Sequence, residues 1–234
     1  MVTWRQAAAL WNATAPNAAA EGGALPDMSD PVDARNRSVE DDDAASVARC
    51  RRGDPEAFAA LVRKHQKRML NIAYRMTGDY EEACDVVQES FLSAWRAIGK
   101  FRGDARFSTW LCGIVLNHAR NHLAQRTLRT RRDGASLDDP VNPARGAAAG
   151  GIRDPDASPE ECLERREVEA RVQECIGRLD GEQREVIVLR DIQGYSYEEI
   201  GAMLKMPDGT VRSRLFRARN ALKDCLRPIF GDLK

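Results

Sequence analysis

Aromatic residues make up only 6% of this 234-residue chain, and it holds just three histidines. So few rings argue against a broad β-sandwich and suit helices packed through Ala, Leu, Val and Ile. No run approaches the roughly 20 consecutive apolar residues that cross a bilayer. A secretory leader is not expected either, because Arg5 is the only early base and Asn12 and Thr14 break the apolar positions around them. The six cysteines form no C-x-x-C pair and follow no regular spacing, and most fall at apolar positions of helical patterns. They read as reduced, buried thiols of a cytoplasmic protein rather than zinc ligands or disulfides. The chain also lacks a G-x-x-x-x-G-K-[ST] loop, an H-E-x-x-H helix and a nucleophile elbow, so neither an enzyme nor a resident cofactor is expected. His118 and His122 are four apart, a metal-compatible spacing on a helix. They lack the glutamate of H-E-x-x-H and an obvious third ligand, and no metal is assigned to them.

The formal net charge is zero, from 36 bases and 36 acids, but the charge is segregated. Residues 1–44 hold 3 bases against 8 acids, and residues 45–125 hold 13 against 8. At the other end, 160–204 holds 6 against 12 and 205–234 holds 8 against 3. Basic surfaces of this kind attract polyanions, and nucleic acid is the first candidate.

Residues 1–44 are Ala-rich, carry Pro16, Pro26 and Pro31, and end in a run of acids, which predicts a disordered acidic extension. Residues 45–126 are helical in pattern. Asp54-Pro55 opens a helix that runs through Met69, Ile72 and Met76 to Gly78; another starts near Tyr80, and a third lies between Ser108 and Leu123. Residues 127–158, rich in Gly, Pro, Asp and Ala without apolar period, predict a flexible linker. A second helical domain, 159–230, then starts at Ser158-Pro159, with a helix from Glu182 to Ile192 that stops at Gly194. No segment alternates with period two. The expected fold is all-α: two small helical domains on a tether.

Ser196-Tyr197-Glu198-Glu199 is a capping box, Met206-Pro207-Asp208-Gly209 a tight turn, and a second helix begins near Thr210. At 100° per residue, Val211, Leu215, Ala218 and Leu222 form a narrow apolar stripe that must face the core. Ser213, Phe216, Arg217 and Asn220 then point outward, flanked by Arg212 and Arg214. Two short helices, a turn and a basic outer face describe a helix-turn-helix, whose second helix enters the major groove. The competing reading is a solvated basic helix. Seven bases against two acids between Lys205 and Arg227 favour DNA.

In the first domain, Val87, Phe91, Ala94 and Ile98 share one helical face and leave Asp85, Glu89, Leu92, Ser93 and Arg96 on the other. A leucine among charges is either a plain solvated face or a docking face for a basic helix. The following loop sets Phe101, Phe107 and Trp110 beside Lys100, Arg102 and Arg106. Rings interleaved with bases suit unstacked single-stranded DNA. The alternative, core rings beside a surface loop, fits Trp110 better than it fits the loop.

DVVQESFLSAW, FRGDARFSTWL and LNHARNHL resemble regions 2.2 to 2.4 of bacterial sigma-70-family factors, and YSYEEIGAMLKMPDGTVRSRLFRARNALK resembles their region 4.2. With no region-3 domain between them, the arrangement is similar to the extracytoplasmic-function (ECF) group, particularly its sigma-E type. The resemblance covers about residues 45–126 and 159–228. It implies that Asp85, Gln88, Glu89, Leu92, Ser93 and Arg96 bind the clamp coiled coil of core RNA polymerase. It further implies that Lys100, Phe101, Arg102, Arg106, Phe107, Trp110, Asn117 and Asn121 capture and read the −10 element. Thr210, Arg212, Ser213, Arg214, Phe216, Arg217 and Asn220 would contact the −35 element. Region 4 would also grip the polymerase flap, and an anti-sigma factor would control the protein. One departure is Leu179-Asp180 where the family often has Leu-Pro; Asp can cap that helix equally well. A stand-alone regulator would need a dimerisation surface or a phosphoacceptor domain, and the first half shows neither.

Overall fold

The computed structural model describes residues 43–132 and 159–230. The expected acidic extension up to residue 42, and the expected linker from 133 to 158, lie outside the described residues. The first helix of the first domain begins at Ala44, one residue before the expected boundary, with Asp43 at its N-cap. Helix α1 (Ala44–Arg51) packs against α2 (Pro55–Thr77). The Asp54 carboxylate accepts from the amides of Glu56 and Ala57 at 3.0 and 3.2 Å, with Pro55 at the first helical position, and Gly78 ends α2 at φ +79°. Asp79 then caps α3 (Tyr80–Ala97) through the Glu82 amide. After the 3₁₀ turn Ile98–Lys100 and an irregular loop comes α4 (Phe107–Arg132). It runs nine residues past Leu123, well into the segment expected to be linker, because Leu123–Arg132 contains neither Gly nor Pro to stop it.

Along α2, Leu61, Met69, Ile72 and Met76 are buried; from α3 come Val86, Phe91 and Ala94, and from α4 Leu111, Val115 and Leu116. Each of these side chains larger than alanine contributes about 1.5–3 kcal/mol by leaving water.

The second domain opens with α5 (Pro159–Arg178). Asp180 accepts from the Gln183 amide at 2.7 Å and starts α6 (Gly181–Ile187), as the Leu-Asp departure allows. Its last turn loosens into a π-helical turn, Val188–Ile192, before Gly194 at φ +73°. The predicted capping box is present: Ser196 Oγ accepts from the Glu199 amide, and Glu199 accepts from the Ser196 amide. It opens α7 (Tyr197–Leu204), which ends on Lys205 in left-handed conformation. Helix α8 (Asp208–Phe230) begins two residues before Thr210 and buries Val211, Leu215, Ala218, Leu222 and Leu226.

The two helical units do not hang apart. Arg68 of α2 donates to the side chain and backbone of Gln193 at 3.1 and 2.9 Å and lies over the Tyr195 ring. Arg75, buried, reaches Gln173 of α5, and Arg184 of α6 reaches the Met76 carbonyl at 2.7 Å. Arg120 of α4 makes a two-pronged ion pair with the buried Glu185 of α6, and Thr109 touches Glu199 of α7.

Candidate nucleic-acid and polymerase interfaces

Burial of the α8 stripe decides what its other side can do. Arg212, Ser213, Phe216, Arg217 and Asn220 are exposed, and Phe216 keeps 68% of its surface in water. A phenylalanine that open on a basic helix has no partner in the fold, and it suits the thymine methyl or a base edge. The arginines differ. Arg214 is drawn sideways into an ion pair with Glu182, and Arg219 is held by both oxygens of Asp191. Arg217 makes only a long contact to its own helix, to the Ser213 carbonyl at 3.4 Å. Arg212 lies 4.6 Å over the ring of Tyr197, which also carries the buried Arg190 at 4.4 Å. Thus Arg212 and Arg217 are available on the outward surface of α8, while Arg214 is engaged with an acid. Thr210, half-buried, offers its carbonyl to Ser213 Oγ.

On α3, Asp85, Gln88, Glu89, Leu92 and Arg96 are exposed along one face, and Leu92 keeps 49% of its surface. Ser93 is half-buried, bonded to His118 Nε2 at 3.0 Å, and His118 also meets Glu89 at 3.4 Å. His122 faces Glu82 at 3.6 Å. Each histidine therefore has its own acidic neighbour, and no cluster of three metal-ligating side chains occurs among the described residues.

The aromatic loop requires a correction. Phe107 is fully buried and Phe101 nearly so, packed edge to face at 6.1 Å, with Trp110 against both and His65 against Phe107. Phe101 and Phe107 are core residues that shape the loop from beneath and, as they stand, offer no ring to a base. Trp110, expected among the −10 contacts although the core alternative suited it best of the three rings, is the half-exposed one. Above it the loop presents Lys100 and Arg102, with Arg106 half-buried and Gly103 at φ +84°. Asn117 and Asn121 are exposed on successive turns of α4, and Asn117 accepts from Arg120.

Residues 61–129 match the family Sigma-70 region 2, and residues 169–222 match Sigma-70, region 4. The RNA polymerase sigma-H factor of Pseudomonas aeruginosa is 40% identical over 194 residues, covering 83% of this chain and 98% of that one. The chain belongs to the ECF group of the sigma-70 family. The ECF RNA polymerase sigma-E factor of Salmonella typhimurium is 39% identical over 189 residues, covering 80% of this sigma factor and 95% of its relative. Among solved structures, CnrH in complex with the cytosolic domain of CnrY covers 81% of this chain and 99% of its own at 29% identity, with a TM-score of 0.57. The fold is also that of the sigma factor RpoE from Bartonella quintana, solved with the anti-sigma factor NepR: TM-score 0.58 at 22% identity, covering 73% of this chain and 96% of that one.

A sigma factor is not an enzyme: it supplies promoter selection to a polymerase that performs the chemistry. The all-α, two-domain expectation agrees with this identity. The sequence reading missed Tyr197 and Arg190 as the support under Arg212; no spacing signal joins positions 190, 197 and 212, which meet only through the loop before α7 and the turn between α7 and α8.

Proposed function

We propose that this sigma factor mounts on core RNA polymerase through Asp85, Gln88, Glu89, Leu92, Ser93 and Arg96, and addresses promoters with two separate surfaces. Arg212, Ser213, Phe216, Arg217 and Asn220, with Thr210 at the start of the helix, read the −35 element; Arg214 acts at the margin, its charge shared with Glu182. Lys100, Arg102 and Arg106 hold the displaced strand at −10, Trp110 supplies a stacking surface, and Asn117 and Asn121 read the upstream edge. Phe101 and Phe107 take part by shaping the loop. Opening the duplex costs a few kcal/mol per unstacked base, offset by stacking and by contacts to phosphate. The site of action is the cytoplasm, and among the described residues no helix is long and apolar enough to cross a membrane. An anti-sigma factor is the proposed controlling partner; the Bartonella quintana sigma factor of the same fold was solved in complex with one, NepR.

The observation that carries this reading is the sorting of α8: one side wholly buried, the other open with Phe216 and Arg217 uncommitted. Arg217→Ala weakens −35 recognition by about 1–3 kcal/mol, roughly 5- to 150-fold, and leaves association with core polymerase unchanged. Run-off transcription by the reconstituted holoenzyme on a promoter library measures both. Full −35 specificity in the variant defeats the assignment.

A further inference from the structure

Cys175 near the end of α5 and Cys225 in the last turns of α8 are joined as a disulfide, their Cα atoms 5.8 Å apart across 50 residues of chain. The expectation of reduced cysteines fails for this pair. Cys50, Cys84 and Cys112 are free, Cys50 and Cys112 buried as expected and Cys84 half-buried, while the side chain of Cys162 lies outside those described. Burial pushes the Cys112 thiol up to about 12 and raises that of Cys50, so both are poor nucleophiles.

Cys175 and Cys225 differ from those thiols and from each other. Cys175 is 4% exposed, whereas Cys225 is half-exposed and has a guanidinium nitrogen of Arg178 3.8 Å from its sulfur. The other terminal nitrogen of Arg178 is engaged with Glu174 at 2.6 Å, which holds the side chain over the sulfur. A cation beside an accessible sulfur favours thiolate, and a shielded second sulfur within bonding reach is the arrangement of an attacking and a resolving cysteine. Disulfides do not persist unaided in the cytoplasm where the protein is proposed to act.

We propose that Cys225 and Cys175 form a reversible thiol–disulfide exchange site whose substrate is a low-molecular-weight disulfide such as oxidised glutathione, and whose oxidised state staples the reading helix α8 to α5. The Cys225 thiolate attacks one sulfur of the glutathione disulfide. That S–S bond breaks, a mixed disulfide forms, and one glutathione thiolate leaves. Cys175, its proton lost to solvent, then attacks Cys225 Sγ and expels the second glutathione thiolate. The two protein sulfurs lose two electrons, the substrate gains them, and the two thiol protons end on the two glutathiones. Excess reduced glutathione runs the sequence backwards. The closed loop contains α6, α7 and most of α8, so oxidation restricts the unfolded chain and raises the melting temperature of the second domain. Asn220 lies more than one helical turn before Cys225, so the −35 surface stays open in both states.

The test equilibrates the full chain in glutathione buffers of graded oxidised-to-reduced ratio, quenches with acid, alkylates under denaturing conditions and maps the labels by mass spectrometry. Cys175 and Cys225 should lose label together as the ratio rises, while Cys50 and Cys112 keep theirs. The oxidised chain should melt several degrees higher, roughly 4 °C or more for a domain of this size. Cys175→Ser should trap one glutathione on Cys225, and Arg178→Met should slow native alkylation of Cys225 several-fold. Independent loss of the two labels, or equal melting of the two states, overturns the proposal; the wild-type labelling needs no variant to fold. Binding to −35 DNA, measured in parallel, tests the α8 reading separately, because its loss in both redox states counts against that reading alone.

Discussion

His65 shows how a single buried ionisable group couples this fold to pH. It sits in the first domain with Asp43 Oδ2 at 2.7 Å and the Phe107 ring against it, and Asp43 also holds Lys64. Burial pulls the imidazole below its ordinary 6.5; Asp43 opposes the shift, and Lys64 and Arg68 reinforce it. The unfolded chain therefore binds the proton more readily than the folded one. Stability from neutral His65 is complete above about pH 6.5 and is lost as pH falls from there through the lower folded value. Asp43→Asn removes the attraction that favours imidazolium, so the folded value drops further and the acid loss spans a wider range. Thermal melting of the two proteins from pH 7.5 to 5.5 checks this, with an NMR titration of His65 as the direct readout; a flatter profile in the variant would contradict it. At this scale the sequence was a partial guide. The outward set on α8 and the Leu92 face on α3 followed from 100° geometry, because periodicity alone decides which side of a helix is wet. Phe107 did not follow, because its burial depends on His65 arriving from α2 and on Phe101 folding back from the preceding loop, beside Trp110 one turn along α4.

Helix ends were the most legible features, since a cap is a local bargain between a side chain and amides two or three residues on. Asp54, Asp79, Asp180 and Ser196 all accept from the amides they cap. The Ser196 box matters most for function, because α7 carries Tyr197, and Tyr197 carries Arg212. Ser196→Ala removes one partner from the Glu199 amide and loosens the return bond, costing about 1 kcal/mol of stability. The cost should appear as a lower melting temperature together with a modest loss of −35 affinity, while Asp54→Ala lowers stability without touching −35 binding. Equal −35 affinity in Ser196→Ala and the parent would mean that α7 does not support Arg212. What the sequence hid at this scale was length. The far half of α4 resembles linker in its mix of polar residues, yet with no glycine or proline to break it the helix continues to Arg132, with Arg126 tied back to Glu82 of α3 at 3.0 Å.

The arrangement of the two domains was invisible in the sequence, which offers a tether and two modules but no sign that they touch. The bonds that close them join residues 65 to 125 positions apart, such as Arg120 with Glu185 and Arg68 with Gln193. This closed form has a physical consequence for promoter binding. Elements named for positions −10 and −35 are about 25 base pairs apart, on the order of 80 Å of duplex at 3.4 Å per base pair. Here Thr109 of α4 touches Glu199 of α7, and Tyr197, two residues away, touches Arg212 of α8. At 1.5 Å rise per helical residue, that chain of contacts holds the two proposed DNA-contacting surfaces within roughly 30 Å of each other. With the promoter contacts proposed above, the domains must part before both elements are held at once, and whatever strengthens the seam opposes activity. Glu185 is its most sensitive point: a buried carboxylate whose partner Arg120 also donates to Asn117, a proposed −10 contact. Glu185→Gln leaves the shape and removes the charge, so the seam loses its ion pair, a loss of about 1–3 kcal/mol. Dyes placed on exposed positions of α3 and α8 should report a longer separation in the variant without polymerase, and the variant should assemble with core polymerase at lower concentration than the parent. Unchanged separation and unchanged assembly would mean that opening is not limited by this contact.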